Sequence, residues 1–155
     1  IIIVASQFDP ATMEHEHLRK WVHTTRMPVR WGDMDAMGHV NNTVYFRYME
    51  QTRIEWLETF DYGITHRQEE AAVIVNASCS FLVPIAYPAT VEIRMSIGKP
   101  GRTSLPTYYE IRCVGNDALY AEGAAKLVWY LPASGKSAPL PDRIRALAEN
   151  HYVRG

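Results

Sequence analysis

Apolar and polar positions alternate with a period of two over five stretches of this chain and repeat with a helical period over two more. Thr24 to Trp31 sets Met27, Val29 and Trp31 against Arg26, Pro28 and Arg30. That predicts a strand, with Pro28 marking an edge or a strand start. From Thr43 to Phe60 the period changes. At helical spacing, Val44, Tyr45, Phe46, Tyr48, Met49, Thr52, Trp56, Leu57 and Phe60 sweep more than half of the circumference. A helix lying on a surface needs an apolar stripe only about 100° wide. Something concave is therefore expected to wrap this one, and Asn41 or Asn42 is placed to cap its start.

Four further alternating runs follow. Ala71–Val83 sets Val73, Val75, Ala77, Cys79, Phe81 and Val83 on one side, and Thr90–Ile97 does the same with Val91, Ile93, Met95 and Ile97. Thr103–Val114 groups Tyr109, Ile111 and Cys113, and Asp117–Leu131 groups Leu119 through Trp129 at every second position. The connections Pro84–Ala89, Gly98–Arg102 and Gly115–Asn116 carry turn residues, and the last two are short enough for hairpins. Pro139 and Pro141 introduce a terminal amphipathic helix to about His151. One strand, one long apolar helix and four mostly antiparallel strands predict an α+β fold, a curved five-stranded sheet around a helix. The helices are too few for a doubly wound α/β sheet.

At 155 residues the chain is expected to be one domain, spanning 24–155 behind an arm at 1–23. His15, His17 and His23 in that arm sit among Glu14, Glu16 and Arg19 without metal-site spacing, and a solvated arm is expected. The apolar opening Ile1–Ala5 lacks the charged start of a signal peptide and reads as a trimmed or added end. Sixteen basic against seventeen acidic residues leave no surplus for a nucleic-acid partner. No apolar run approaches the ~18 residues of a membrane span. Cys79 and Cys113 are far apart in apolar stretches, which suits core thiols, and a cytoplasmic location is expected.

No dinucleotide, hydrolase-elbow, HExxH or paired CxxC motif is present, so chemistry without metal or cofactor is expected. What remains is the turn-rich run from Asp33 to Asn42. It offers two carboxylates two residues apart after a strand, a glycine that lets backbone approach a ligand, and a helix start with unpaired, partly positive N–H groups. Such amides can hold a carbonyl oxygen as it gains charge. A carboxylate beside them can attack the carbonyl carbon or take a proton from water. Turn and cap chemistry would equally account for both acids.

The stretch Arg30-Trp31-Gly32-Asp33-Met34-Asp35-Ala36-Met37-Gly38-His39-Val40-Asn41-Asn42-Thr43-Val44-Tyr45-Phe46, with Tyr48, Glu50 and Arg53 beyond it, resembles the signature of the hot-dog-fold acyl-CoA thioesterases. It is most similar to the 4-hydroxybenzoyl-CoA thioesterase branch. The resemblance runs from residue 24 to about 150 and implies a long helix wrapped by a curved antiparallel sheet. It also implies that Asp35 is the catalytic carboxylate, as nucleophile or general base, and that the backbone N–H of Asn42 meets the thioester oxygen. Some relatives carry a catalytic histidine at this last position, where this chain has Asn42. Gly38 would allow close approach of the thioester. His39 reads either as a partner of water or carbonyl, or as a structural side chain, and Asp33 is expected to orient the loop. A Glu50–Arg53 ion pair is expected on the helix.

In the turn Lys99-Pro100-Gly101-Arg102-Thr103-Ser104, Arg102 matches one basic position of the family's phosphate-binding segment. Gly101 and Thr103 replace two others. The resemblance further implies dimers or tetramers with each site at a subunit interface. The implied reaction is hydrolysis of an acyl-CoA to acid and coenzyme A. Hydrolysis of an acyl-carrier-protein thioester, a hydratase or dehydratase, and a non-catalytic acyl-thioester-binding domain are the alternatives. The dehydratase pattern places four residues between Asp and His, whereas three separate Asp35 from His39.

Overall fold

The structure is a computed structural model that describes residues 19–62 and 69–150. Strand β1 runs Lys20–Pro28 and is followed by a single 3-10 turn, Trp31–Asp33. Helix α1 spans Asn42–Glu58. Then come β2 (Ala71–Phe81), β3 (Thr90–Ile97), β4 (Ser104–Cys113), β5 (Asn116–Leu131), a two-residue β6 (Lys136–Ser137) and helix α2 (Asp142–Glu149). All pairings are antiparallel in the order β1-β3-β4-β5-β2, with β6 added to β5. This is the α+β arrangement that the patterning predicts and the hot-dog fold that the resemblance implies, with α1 against one face of the sheet; the short β6 adds a sixth strand to the five expected.

The inner face follows the period-two rule. Val91, Ile93, Met95, Ile97, Leu105, Tyr109, Ile111, Ala121, Leu127 and Trp129 are all buried, and Tyr45, Tyr48, Met49, Trp56 and Leu57 of α1 complete the core. Contact between helix and sheet depends on Gly123. A Cβ there would overlap the Met49 sulfur and lie 3.1 Å from the Ser78 carbonyl oxygen. Half-buried Arg53 does not pair with Glu50. It donates to the Tyr109 hydroxyl at 3.1 Å, while Glu50 binds Arg47 at 2.8 Å. The register of α1 on the sheet, invisible to a helix wheel, decides this.

Several boundaries differ from the pattern. The first strand begins at Lys20, inside the stretch read as an arm, and ends at Pro28. Trp31 is not on its apolar side but on the exposed turn beyond. In β2 a bulge between Ile74 and Asn76 shifts the alternation. Val73 and Ala77 therefore lie on opposite faces, not on one. Residues 1–18, His151 and Gly63 lie outside the described residues. No helix among the described residues is long and apolar enough to cross a membrane.

Candidate active site

The stretch from Met34 to Val40 forms a small hairpin. Met34 bridges Val40, the Asp35 N–H donates to His39 O at 2.8 Å, and the Asn41 N–H donates to Asp33 O at 2.9 Å. The tip is a turn closed by the Gly38 N–H on Asp35 O at 3.0 Å. Gly38 has φ +77°, and nothing lies within 4 Å of where a Cβ would be. Glycine is therefore favoured by backbone conformation and not by crowding. The Asp35 carboxylate takes part in the same turn: Oδ1 accepts from the Met37 N–H at 2.9 Å. The turn reading of Asp35 is thus correct as far as it goes, but Oδ2 has no partner among the described residues. The group is exposed and aimed by one fixed oxygen.

His39 is the cross-strand neighbour of Asp35, exposed, with no side-chain hydrogen bond among the described residues. Beyond it the chain enters α1. Asn41 is the N-cap, its Oδ1 accepting from the Thr43 N–H at 2.9 Å. Around this junction the Val40 N–H is taken by Ile85 O, Asn41 by Asp33 O, Thr43 by Asn41 Oδ1 and Val44 by Asn41 O. Among the described residues nothing accepts from the Asn42 N–H between them. A helix-start amide with no acceptor carries the positive end of the helix dipole toward solvent, as an oxyanion site requires.

Two buried tyrosines of α1 hold the surrounding loops. The Tyr48 hydroxyl donates to Asp33 Oδ2 at 3.0 Å, and the Tyr45 ring packs edge-on against Phe81, centroids 5.0 Å apart. Burial, then the Asp33 carboxylate, pushes the Tyr48 phenol far up, so it remains a donor throughout the neutral range. Burial raises Tyr45 to about 12. Both rings, and Met49, are buried core residues. Sequence gave no sign of the Tyr48–Asp33 bond, because the pair is fifteen residues apart and depends on the rotation of α1.

The turn between β3 and β4 is not near this centre. It is fastened to α2, with Arg145 Nη2 donating to Gly101 O at 2.9 Å and to Arg102 O at 3.0 Å. Thr103 O accepts from the Trp129 N–H, and Ser104 O from the Gly101 N–H. Lys99 and Arg102 are exposed. β3 has Thr90 at the Asp35 end and Ile97 at the other, and α1 is 17 residues long, so about 25 Å of protein separates Asp35 from Lys99, Arg102, Thr103 and Ser104 within one chain. One cavity of about 500 Å³ opens on the sheet face away from α1, lined by Trp21, Ser96 and Tyr108. It contains none of the eight candidate residues. Among the described residues no His, Cys, Asp and Glu side chains are grouped to hold a metal ion.

Residues 29–147 match the family described as the thioesterase-like superfamily. The chain is 40% identical to a candidate thioesterase of known structure from Pseudomonas aeruginosa, over 83% of this chain and 98% of that one, with a TM-score of 0.79. It resembles a gentisyl-coenzyme A thioesterase at 25% identity and TM-score 0.70, over 79% and 98% of the two chains. A 1,4-dihydroxy-2-naphthoyl-CoA thioesterase from Synechocystis shares the fold, at 20% identity and TM-score 0.74 over 83% and 96%. With the hot-dog sheet, the helix start and the acidic hairpin in place, the chain belongs to the thioesterase-like superfamily and is an enzyme of the thioesterase class.

Proposed function

We propose that this enzyme hydrolyses acyl-CoA thioesters to free acid and coenzyme A, with Asp35 as the reacting carboxylate. The observation carrying this reading is the pairing of a free Asp35 Oδ2 with the unaccepted N–H of Asn42, on two strands of chain tied together by the Met34–Val40 bridge. The thioester oxygen rests on the Asn42 N–H. Either Asp35 Oδ2 attacks the carbonyl carbon, expels the thiolate and leaves an anhydride that water cleaves, or Oδ2 takes a proton from water as that water attacks. In both routes the negative charge of the tetrahedral oxygen grows against the amide, where a preset donor contributes most. Gly38 keeps the hairpin tip free of a side chain, and His39 lies beside the carboxylate to bind water.

The phosphate-binding turn would come from a second subunit. β2 is an edge strand with exposed Val73, Ile74, Val75 and Phe81, an arrangement that a lone soluble chain is expected to avoid. Its Phe81 end lies with the Asp35 loop, and its Ala71 end lies with the Ser104 end of β4. Antiparallel pairing of two β2 edges about a two-fold axis brings each subunit's Lys99–Ser104 turn beside its partner's Asp35. A homodimer, or a tetramer built from such dimers, then completes the site with Arg102 and Lys99 toward the coenzyme A phosphates and Thr103 and Ser104 beside them. Names of the related coenzyme A thioesterases support this substrate class. Two free cysteines suit a reducing, cytoplasmic compartment.

Thiol release from benzoyl-, hexanoyl- and palmitoyl-coenzyme A, compared with the same acyl groups on acyl-carrier protein, tests the reading. Faster turnover of at least one coenzyme A ester is expected. Turnover confined to carrier-protein esters would move the assignment to that class.

A further inference from the structure

We infer that Asp33 and Tyr48 are positioning residues of the thioesterase site, a clamp that fixes Asp35 relative to the Asn42 N–H. This inference rests on the reading of Asp35 as the reacting carboxylate. Asp33 binds both sides of the hairpin at once. Its backbone carbonyl takes the Asn41 N–H, so Asn42 is left as the first amide facing outward. Its side chain works through a single atom: Oδ2 accepts from the Arg30 N–H at 2.8 Å and from the Tyr48 hydroxyl at 3.0 Å. Arg30 lies at the exit of β1, and Tyr48 lies on the second turn of α1 with its ring in the core. One oxygen thus ties the strand, the hairpin and the helix that supplies the amide.

The partners make this more than an ordinary turn. Tyr48 is buried, so its hydroxyl cannot exchange Asp33 for bulk water without moving α1. On the opposite wall, the carbonyl of fully buried Ile85 accepts from the Val40 N–H at 2.7 Å. The Tyr48–Asp33 bond and the Val40–Ile85 bond therefore hold the two ends of the short bridged segment that presents Asp35. Asp33 touches no reacting atom in this scheme. Its effect is on the angle and distance between carboxylate and amide, and such displacements lower kcat far more than they alter binding.

Since both bonds fall on one oxygen that only accepts, an amide can replace the carboxylate. Asp33→Asn should keep kcat within about threefold of wild type, while Asp33→Ala lowers it about 10- to 100-fold with KM changed by less than about threefold. Tyr48→Phe should lower kcat by a smaller factor, and the Asp33→Ala/Tyr48→Phe double variant should lose no more than Asp33→Ala alone. The probe is whichever of benzoyl-, hexanoyl- and palmitoyl-coenzyme A wild type turns over fastest, with circular dichroism run in parallel. Should Asp33→Ala fail to fold, Tyr48→Phe and Asp33→Asn carry the comparison. Wild-type kcat in Tyr48→Phe and Asp33→Ala, or equal damage in Asp33→Asn and Asp33→Ala, would overturn the clamp while Asp35→Asn stays inactive. An active Asp35→Asn would instead overturn the underlying reading of Asp35.

Discussion

Asp35 has two jobs that its two oxygens divide. Oδ1 closes the turn on Met37, which holds the carboxylate still, and in the proposed reaction Oδ2 is the oxygen left for the substrate. The same geometry explains Gly38. At φ +77° a side chain strains the backbone, so Gly38→Ala is expected to cost about 1–2 kcal/mol. Thermal melts should register that loss, and thiol-release rates should fall with it as the turn opens and the carboxylate loses its aim. An alanine variant with unchanged melting temperature and rate would show that the turn tolerates the change. Arg53 teaches a different lesson at this scale. Spacing along α1 suggested Glu50 as its partner, but the helix faces the arginine inward to Tyr109 and leaves Glu50 to Arg47 on the surface.

Among the elements, Gly123 determines how closely α1 can approach the sheet. Gly123→Ala pushes a methyl into Met49, which is fully buried and has little room to move. Overpacking of this kind is expected to cost about 1–3 kcal/mol. Met49→Ala opens a cavity at the same point, so the two changes should couple: the double variant is expected to be more stable than the sum of the single losses. Denaturant melts of the four proteins measure this, and simple additivity would contradict it. The regular parts of these elements were legible from alternation alone. Thr90–Ile97 was read to the residue, because every inward position there is aliphatic or Met. Patterning failed where pairing overrode it. The β2 bulge reverses the faces after Ile74, and β1 is set by its pairing of Lys20–Pro28 with β3 although half of those residues are polar. For the site, the acidic turn and helix start are legible from Asp-x-x-Gly and the caps, whereas the Met34–Val40 bridge that makes the turn a hairpin is not. Nor are the tyrosines beneath them, since side-chain bonds between distant elements leave no local spacing.

The whole molecule has an unfinished edge and two carboxylates that make it acid-sensitive. Placing lysines at Val73 and Val75 puts charge along the exposed β2 edge. If the proposed two-subunit site holds, light scattering should find wild type as a dimer or larger and this variant as a monomer, and activity should fall with loss of the partner's turn at 99–104. A wild-type monomer with full activity would contradict the two-subunit site. For acid response, hydrogen bonds from Arg94 and Arg26 hold Glu92 below the usual carboxylate range. Burial raises Glu55, yet hydrogen bonds from Thr25, Gln51 and His23 outweigh it and leave Glu55 low as well. A carboxyl with a depressed folded pKa stabilises above its unfolded pKa, near 4.3 for Glu, and loses that contribution as pH falls through the folded value. Wild type should therefore lose stability below about pH 4.5. Glu55→Gln/Glu92→Gln should be less stable at pH 7 and decline less steeply below it, and parallel melting curves would contradict this.

The most direct measurement is thiol release by Asp35→Asn beside wild type, using the coenzyme A ester that wild type prefers. Asparagine keeps the acceptor for the Met37 N–H, so the fold and melting temperature should remain those of wild type. Turnover is expected to fall by about 100- to 10,000-fold, the range for a lost general base or nucleophile. A folded Asp35→Asn protein that releases thiol at the wild-type rate contradicts the account.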